Sequence, residues 1–186
     1  MMKPIFLMLT LTFLSTSYAS VDFRSSASTG KLNFEAVGKP AMIKIKGESS
    51  APQTFLSLND GKARLESDLD LEQLKTGIDL RDEHMKEKYL ETKKYPKAKL
   101  VISSLSIPVD WEKNPTNVSL QEFNGTLNLH GKEAPVKGTF TLSDKNEANA
   151  EFKIKLTDFG IETPDYLGVK VADLVTIKTQ ILLERK

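Results

Sequence analysis

Four consecutive polar residues, Arg81, Asp82, Glu83 and His84, are the strongest candidates for chemistry in this sequence. General acid–base catalysis requires a carboxylate or an imidazole near its target proton. Consecutive residues of a helix point in different directions, however, so these four side chains do not form one site together. The alternative is a helix start whose carboxylates face solvent, with the arginine clamping one of them, because acidic residues are common in the first turn of helices.

The stretch around these residues predicts one short helix between strands. We expect it to run from Asp79 to Leu90, with Asp79 as the N-cap and the Asp82 carboxylate reaching back to it. Ile78, Met85 and Leu90 can share the inward side, and Pro96 ends the segment. The helix is therefore expected to close one end of a β-structure.

Composition excludes several classes of function. The chain has 186 residues, and its formal net charge of +1 implies no basic surface, so nucleic acid is not an expected partner. The absence of cysteine excludes disulfides, thiol catalysis and cysteine-ligated metals. His84 and His130 lack the spacing of a two-histidine metal site, and no cofactor is expected. No Gly-x-Ser-x-Gly motif occurs, and we do not expect an enzyme.

Residues 1–19 predict an export signal. Lys3 supplies a short positive region, Ile5–Leu14 is apolar, and the Ser-Tyr-Ala sequence ending at Ala19 fits the small-x-small pattern of a cleavage site. The apolar run is shorter than the roughly 20 residues that span a bilayer. We expect cleavage after Ala19, a periplasmic or secreted product without stable membrane insertion, and one domain over residues 20–186. An uncleaved anchor is the alternative.

The rest of the chain alternates apolar and polar residues in short runs. Ala63–Leu71 gives the clearest alternation, with Leu65 and Leu69 on the apolar face. Eight or nine such strands are separated by turns, such as Asn-Asp-Gly at residues 59–61, which makes neighbouring strands antiparallel. Strands with one apolar face must bury it against one another, so we expect an all-β fold with one or two short helices, as a barrel or a sandwich.

Four motifs, in order along the chain, resemble those of the YceI-like family of exported lipid- and polyisoprenoid-binding proteins. They are T-G-I-D-L-R-D-E-H-M from Thr76, Tyr95-Pro96 with the strand Ala98–Ile102, G-T-L-N-L-H-G from Gly125, and D-F-G-I from Asp158 followed by Gly168 and Asp173. The resemblance runs from about Gly30 to the C-terminus. It implies a single antiparallel eight-stranded lipocalin-like barrel around the tail of a polyisoprenoid, quinone-like or fatty-acyl lipid.

The implied barrel is expected to hold the lipid tail among its inward-facing apolar side chains. The expected lining residues are Leu32, Phe34, Leu65, Leu69, Leu100, Ile102, Leu127, Phe140, Phe152, Ile154, Val175 and Ile177. Polar residues at one mouth are expected to hold the head group, and the candidates are Arg81, Asp82, His84 and Asp158. Arg81 is preferred for an anionic head because its guanidinium suits phosphate or carboxylate. The alternative is a structural ion pair between Arg81 and Asp82 or Asp158.

Several alternatives stay open at the level of sequence. Each lining residue is either a ligand contact or packed core, since most inward aliphatic side chains fill space. Trp111 and Tyr166 are placed in loops, as rim groups or as surface aromatics without a role. The alternative function is a filled-core barrel acting as a protein-interaction or stress-response module without a lipid. The oligomeric state is open, with a homodimer as one alternative.

Overall fold

Twelve strands and one short α-helix make up the described part of the computed structural model, which comprises residues 20–39, 43–59, 62–166 and 169–186. The predicted signal peptide lies outside these residues. The strands are β1 (Val21–Arg24), β2 (Gly30–Lys39), β3 (Ile43–Ser50), β4 (Gln53–Asn59), β5 (Lys62–Asp70), β6 (Lys97–Ser106), β7 (Val118–Leu129), β8 (Lys132–Leu142), β9 (Glu147–Lys155), β10 (Asp165–Tyr166), β11 (Val169–Leu182) and β12 (Glu184–Arg185).

The helical elements lie in two of the connections between strands. A 3₁₀ turn at Leu71–Gln73 follows β5, and α1 (Asp79–His84) runs directly into a π-helical turn at Met85–Tyr89. A second 3₁₀ turn, Leu156–Phe159, follows β9. We call Asp79–Tyr89 the helical segment; it coincides with the predicted helix to within one residue. None of the described helices is long and apolar enough to cross a membrane.

All strands belong to one antiparallel sheet. Its order is β12-β1-β4-β5-β6-β7-β8-β9-β11-β2-β3, with β10 paired to β11 off this path. The order follows the chain from β4 to β9, as short turns between neighbours predict. Register irregularities interrupt the β5–β6, β7–β8 and β11–β2 ladders. Such irregularities increase local bending and twist, which helps the sheet to curl around its core.

The expectation of an eight-stranded closed barrel is wrong. Eleven strands lie along the path of the sheet, and no described ladder joins its two ends, β3 and β12. Short strands explain the difference in number, because β1 has four residues and β12 has two, too few for alternation to be recognised. The fold is an all-β, curled antiparallel sheet with one short helix.

The gap beside β3 is bridged by the segment that follows β5. Glu48 donates its N–H to the carbonyl of Lys75 at 2.8 Å, and Lys75 donates back to the carbonyl of Glu48 at 2.9 Å. Leu71 and Leu74 are buried behind this bridge. The chain leading to α1 therefore covers part of the free edge of β3 that a further strand would cover in a closed barrel.

One end of the sheet is filled with side chains. The β6–β7 loop lies at the end away from α1, because successive antiparallel connections alternate between ends. In this loop the Trp111 ring is fully buried, packs edge-to-face on Phe23 at a centroid distance of 5.5 Å, and donates its Nε1–H to the carbonyl of Thr116 at 2.8 Å. Leu56 and Leu183 are also almost inaccessible to solvent. We call this the filled end.

The expectation that Trp111 is a rim group or a surface aromatic is wrong. Proline and asparagine residues around it correctly predict a loop, but they do not reveal that the loop turns its tryptophan into the core. A large aromatic ring gains more from burial than from exposure provided that its N–H finds a partner, as it does here. The Tyr166 side chain lies outside the described part of the chain.

Candidate functional site

An apolar cavity of about 460 Å³ extends from the helical segment toward the middle of the curled sheet. Its wall consists mainly of inward-facing aliphatic and aromatic side chains from β2 to β9 and β11. Arg81, His84, Met85 and Tyr89 contribute from the helical segment. The volume falls within the range of about 300–1,000 Å³ that is typical of small-molecule pockets.

All of the predicted lining residues face this cavity. They are Leu32, Phe34, Leu65, Leu69, Leu100, Ile102, Leu127, Phe140, Phe152, Ile154, Val175 and Ile177. Alternation along each strand placed them on one face, and the curl of the sheet brings those faces together. Contact of these side chains with a ligand stays a prediction.

The cavity wall also contains residues of β3, β4 and β5 that were not among the predicted lining residues. Ile43 and Ile45 line the cavity. The sequence contains the pattern that predicts this, because the two isoleucines alternate with two lysines, as on a half-buried strand. Thr54 and Ser67 also line it and hydrogen-bond to each other at 2.9 Å between hydroxyl oxygens. Inward-facing polar residues interrupt an apolar pattern, so no sequence signal pointed to this pair.

The start of α1 is organised around Thr76. Arg81 donates from Nε to Thr76 Oγ1 at 2.8 Å and from Nη2 to the carbonyl of Thr76 at 2.9 Å. The Asp82 carboxylate accepts the N–H of Thr76 at 2.7 Å and also the Thr76 hydroxyl. The N-cap is Ile78, which makes no side-chain capping bond, so the predicted Asp79 cap is wrong. The expected inward position of Ile78 is also wrong, because its side chain is 53% exposed. Asp82 satisfies a backbone N–H before the helix instead.

The structure brings together two of the four head-group candidates. Arg81 and His84 line the cavity, and His84 has further contacts of its own. Asp82 is turned toward Thr76, and Asp158 is exposed in the second 3₁₀ turn, away from the cavity wall. Neither alternative ion pair of Arg81, with Asp82 or with Asp158, is among the ion pairs of the described residues; Thr76 separates the arginine from the carboxylate.

We expect Thr76→Val to loosen the helical segment. The substitution removes the hydroxyl that hydrogen-bonds to both Arg81 and Asp82. Leaving these partly buried partners unpaired lowers the unfolding free energy by about 1–3 kcal/mol. Hydrogen exchange should speed up within Asp79–Tyr89 more than in the strands. Thr126→Val, at an exposed position on β7, is the matched control. Equal exchange in both variants would contradict this role of Thr76.

His130 is held by structural contacts. Its Nε2 lies 2.6 Å from Glu91 Oε2, its Nδ1 lies 3.3 Å from the carbonyl oxygen of Phe159, and the Tyr95 ring packs against it at 4.5 Å. The histidine thus joins the end of the β7 strand to the residues after the helical segment and to the second 3₁₀ turn. These contacts favour a structural role over a catalytic one.

Asp173 fixes the second 3₁₀ turn. Its carboxylate accepts the N–H of Thr157 at 2.9 Å and the Thr157 hydroxyl at 2.8 Å. These bonds favour the ionised carboxylate, and the backbone N–H of Thr157 is the largest cause of a pKa for Asp173 below its ordinary value of 3.8. Because the folded-state pKa is depressed, the stabilisation is complete above the ordinary pKa and is lost as the pH falls through the folded-state value.

We expect Asp173→Asn to lower the unfolding free energy near neutral pH by about 1 kcal/mol, because the charge-assisted bonds to Thr157 are weakened. The variant should also lose less stability than the wild type as the pH falls through the depressed folded-state pKa of Asp173, where the wild-type carboxylate becomes protonated. Urea unfolding at a series of pH values measures both effects. Glu162→Gln, an exposed change nearby, serves as the control. Parallel pH profiles for the wild type and Asp173→Asn would contradict the assignment.

Comparison with known proteins identifies the family. The model described as YceI-like domain matches residues 26–183. This chain belongs to the YceI-like family. The match covers most of the chain, so the resemblance seen in the four motifs is confirmed. Among curated proteins, none matches this chain in sequence.

Solved structures with this fold include members of the YceI-like family. A polyisoprenoid binding domain from Saccharophagus degradans implicated in plant cell wall breakdown is 16% identical with a TM-score of 0.66, over 88% of this chain and 98% of that one. BcnA from Burkholderia cenocepacia is 18% identical with a TM-score of 0.65, over 86% and 99%. A Campylobacter jejuni YCEI protein is 15% identical with a TM-score of 0.57, over 76% and 85%. At these identities the likeness is one of fold.

Proposed function

We propose that this protein is an exported binding protein that holds a long-chain amphiphile in its cavity. A polyisoprenoid, a quinone-like compound and a fatty-acyl lipid all fit this description. The observation that carries the proposal is the cavity of about 460 Å³, walled by apolar side chains and bordered at one end by a helix. Each buried methylene contributes ~0.8 kcal/mol, so an apolar tail binds such a wall without specific chemistry. The similar fold of a polyisoprenoid binding domain supports the choice of ligand class.

Arg81 is the preferred contact for the head group. Thr76 engages two of the five N–H groups of its guanidinium, which fixes the orientation of the plane while leaving other donors for a ligand. Arg81 and His84 both lie where the helical segment borders the cavity, whereas most of the wall is apolar. An amphiphile bound with its tail toward the middle of the sheet and its polar end at Arg81 matches this distribution of polarity.

Export follows from the predicted signal peptide, with cleavage after Ala19 and release into the periplasm or the medium. A long-chain lipid is poorly soluble in such an aqueous compartment, because its tail exposes apolar surface to water. A protein that encloses the tail allows the lipid to be transported or stored there. The alternative, a filled-core module for protein interaction, predicts a barrel without a cavity, and the cavity therefore favours the carrier.

A series of lipids with one head group and increasing tail length tests this proposal. We expect affinity to rise about fourfold per added methylene until the tail fills the cavity, and then to level off. Fluorescent-probe displacement and the melting temperature both report the binding. An affinity and a melting temperature that do not depend on tail length would contradict the carrier function and favour the protein-interaction module.

A further inference from the structure

Two hydroxyl groups interrupt the apolar wall of the cavity where β4 and β5 pair. Thr54 and Ser67 lie directly opposite each other in this ladder, and both line the cavity. Thr54 is 3% exposed, whereas Ser67 keeps part of its surface accessible. Both side chains turn to the inward face of the sheet, so the accessible surface of Ser67 lies toward the cavity. The pair therefore presents a hydroxyl group to any molecule in the interior.

The surroundings of Ser67 are aliphatic. Leu65 and Leu69 precede and follow it on the inward face of β5, and Leu100 is its partner on β6. All three leucines line the cavity. A serine at this position gives up the apolar contacts that a further leucine would make with a lipid tail. Its hydroxyl also requires a hydrogen-bond partner wherever water is excluded.

The hydrogen bonds of the pair leave Ser67 with unused capacity. Thr54 Oγ1 lies 2.9 Å from Ser67 Oγ, and either oxygen is able to donate. Thr54 Oγ1 also donates to the carbonyl of Pro52 at 3.5 Å, and the same carbonyl accepts a shorter bond of 3.0 Å from Ser25 Oγ. Within the described residues, Thr54 is the one hydrogen-bond partner of Ser67 Oγ. A hydroxyl has one donor and two acceptor sites, so Ser67 is able to bind one more oxygen from the cavity side.

The direction of the shared hydrogen bond determines what Ser67 offers to a ligand. When Thr54 donates to Ser67, the Ser67 hydroxyl hydrogen is available to a carbonyl oxygen in the cavity. When Thr54 donates to the carbonyl of Pro52, Ser67 donates to Thr54 and its lone pairs accept the hydroxyl of a ligand. The pair therefore suits either a carbonyl or a hydroxyl group.

The group that fits beside Ser67 is neutral. Among the described lining residues, the basic side chains are Arg81 and His84, and both belong to the helical segment. A charge beside Ser67 would be buried among leucines without a partner of opposite sign. Ser67 lies three residues before the end of β5, which is about 10 Å along the strand. The hydroxyl pair is thus a second polar position in the cavity wall, distinct from the end where Arg81 lies.

We propose that Ser67, oriented by Thr54, binds a neutral hydroxyl or carbonyl group that the ligand carries partway along its chain. The ligand class is then an amphiphile with its polar head at Arg81 and a second oxygen function within its tail. An oxygen at the matching position gains a hydrogen bond, whereas an oxygen elsewhere is buried unpaired against aliphatic side chains. This inference rests on the proposed carrier function, because a chain that enters the cavity is what brings the oxygen to Ser67.

A positional scan with monohydroxylated palmitic acids tests this assignment. The acids share one head group and one chain length and differ only in the carbon that carries the hydroxyl; the corresponding oxo acids show whether a carbonyl is preferred. Affinities are measured by probe displacement from the purified protein. We expect a narrow range of positions to bind about tenfold more tightly than the others, because a misplaced hydroxyl loses its hydrogen bonds to water without replacement. Equal wild-type affinities for every position, in both series, overturn the proposal.

Substitutions of Ser67 assign the preference to this residue. Ser67→Ala should abolish the positional preference and leave the affinity for unsubstituted palmitic acid close to that of the wild type. Ser67→Thr keeps the hydroxyl and should keep the preference. Thr179→Val is the matched control, because Thr179 also lines the cavity but lies on β11, far from β5 in the strand order. A preference that persists in Ser67→Ala, or that is lost only in Thr179→Val, overturns the assignment.

Failure of this proposal and failure of the carrier function give different results. Unsubstituted acids of increasing length measure the carrier function, and positional isomers of one length measure the site at Ser67. Dependence on length without dependence on position leaves the carrier and removes the site, whereas affinities that depend on neither remove both. Melting temperatures verify that each variant is folded. A pair that only joins β4 to β5 would lower the melting temperature of Ser67→Ala without changing the ratio of affinities between isomers.

Discussion

Replacing Ala150 with tryptophan is expected to abolish lipid binding while the protein stays folded. Ala150 lies on β9 opposite Phe140 and Thr179 and faces the cavity. An indole ring there occupies space that a ligand tail requires, and displacing about four methylenes lowers affinity about two hundredfold. Because the ring enters an existing cavity rather than a packed core, we expect little loss of stability from overpacking.

Lys153→Trp is the matched control for this substitution. Lys153 lies on the same strand but faces outward and is exposed, so the same ring is added without filling the cavity. Probe displacement should show normal affinity for Lys153→Trp and almost none for Ala150→Trp, with both melting temperatures close to that of the wild type. Wild-type affinity in Ala150→Trp would show that the cavity is not the binding site.

Trp111→Ala is expected to have the largest effect on stability. The ring is fully buried at the filled end, packs on Phe23 and donates a hydrogen bond to Thr116, so its removal leaves a large void and an unpaired carbonyl. Truncation of a buried tryptophan costs about 3–5 kcal/mol of unfolding free energy. Val109→Ala, 69% exposed in the same loop, should change it by less than about 0.5 kcal/mol.

Urea unfolding measures both changes, and lipid affinity measured well below the transition separates stability from function. The filled end is distinct from the cavity, so the folded fraction of Trp111→Ala should bind lipid with nearly the wild-type affinity. A loss of stability below about 1 kcal/mol would contradict the role of Trp111 as the centre of the filled end.

The sequence predicted the cavity wall well because its signal is local and repeated. Leu65 and Leu69 face inward on β5 since a strand turns alternate side chains to one face, whatever its partners are. The helical segment was also predicted, because it lies between two alternating runs and has an inward stripe that includes Met85. These features depend on residues close together in sequence.

The features that sequence reasoning missed depend on tertiary contacts. Asp79 has a residue type that is common at N-caps, but the N-cap is Ile78. The Asp82 carboxylate was expected to reach back to Asp79, and it accepts the N–H of Thr76 instead. Trp111 lies in a loop whose composition carries no information about burial. The bridge that covers the edge of β3 joins Glu48 to Lys75, which are distant in the chain. Strand β12 has only two residues, too few to show an alternation of apolar and polar side chains.

The candidate head-group residues were only partly predictable from sequence for a related reason. Arg81 and His84, three residues apart, share the face of α1 that meets the cavity, whereas Asp82 points elsewhere. Asp158 was grouped with them because it also lies outside a regular strand. Its exposed position in the second 3₁₀ turn depends on how β9 and β11 pair, which the local sequence does not specify.

The most direct test of the carrier function is to identify what the native protein contains. The protein is purified from its own cell compartment without detergent, extracted with organic solvent, and the extract is analysed by mass spectrometry against an extract of the Ala150→Trp variant. We predict a stoichiometric long-chain lipid or prenyl compound in the wild type and its absence from the variant. An empty wild-type extract, with no tail-dependent rise in melting temperature when lipids are added back, would contradict the account.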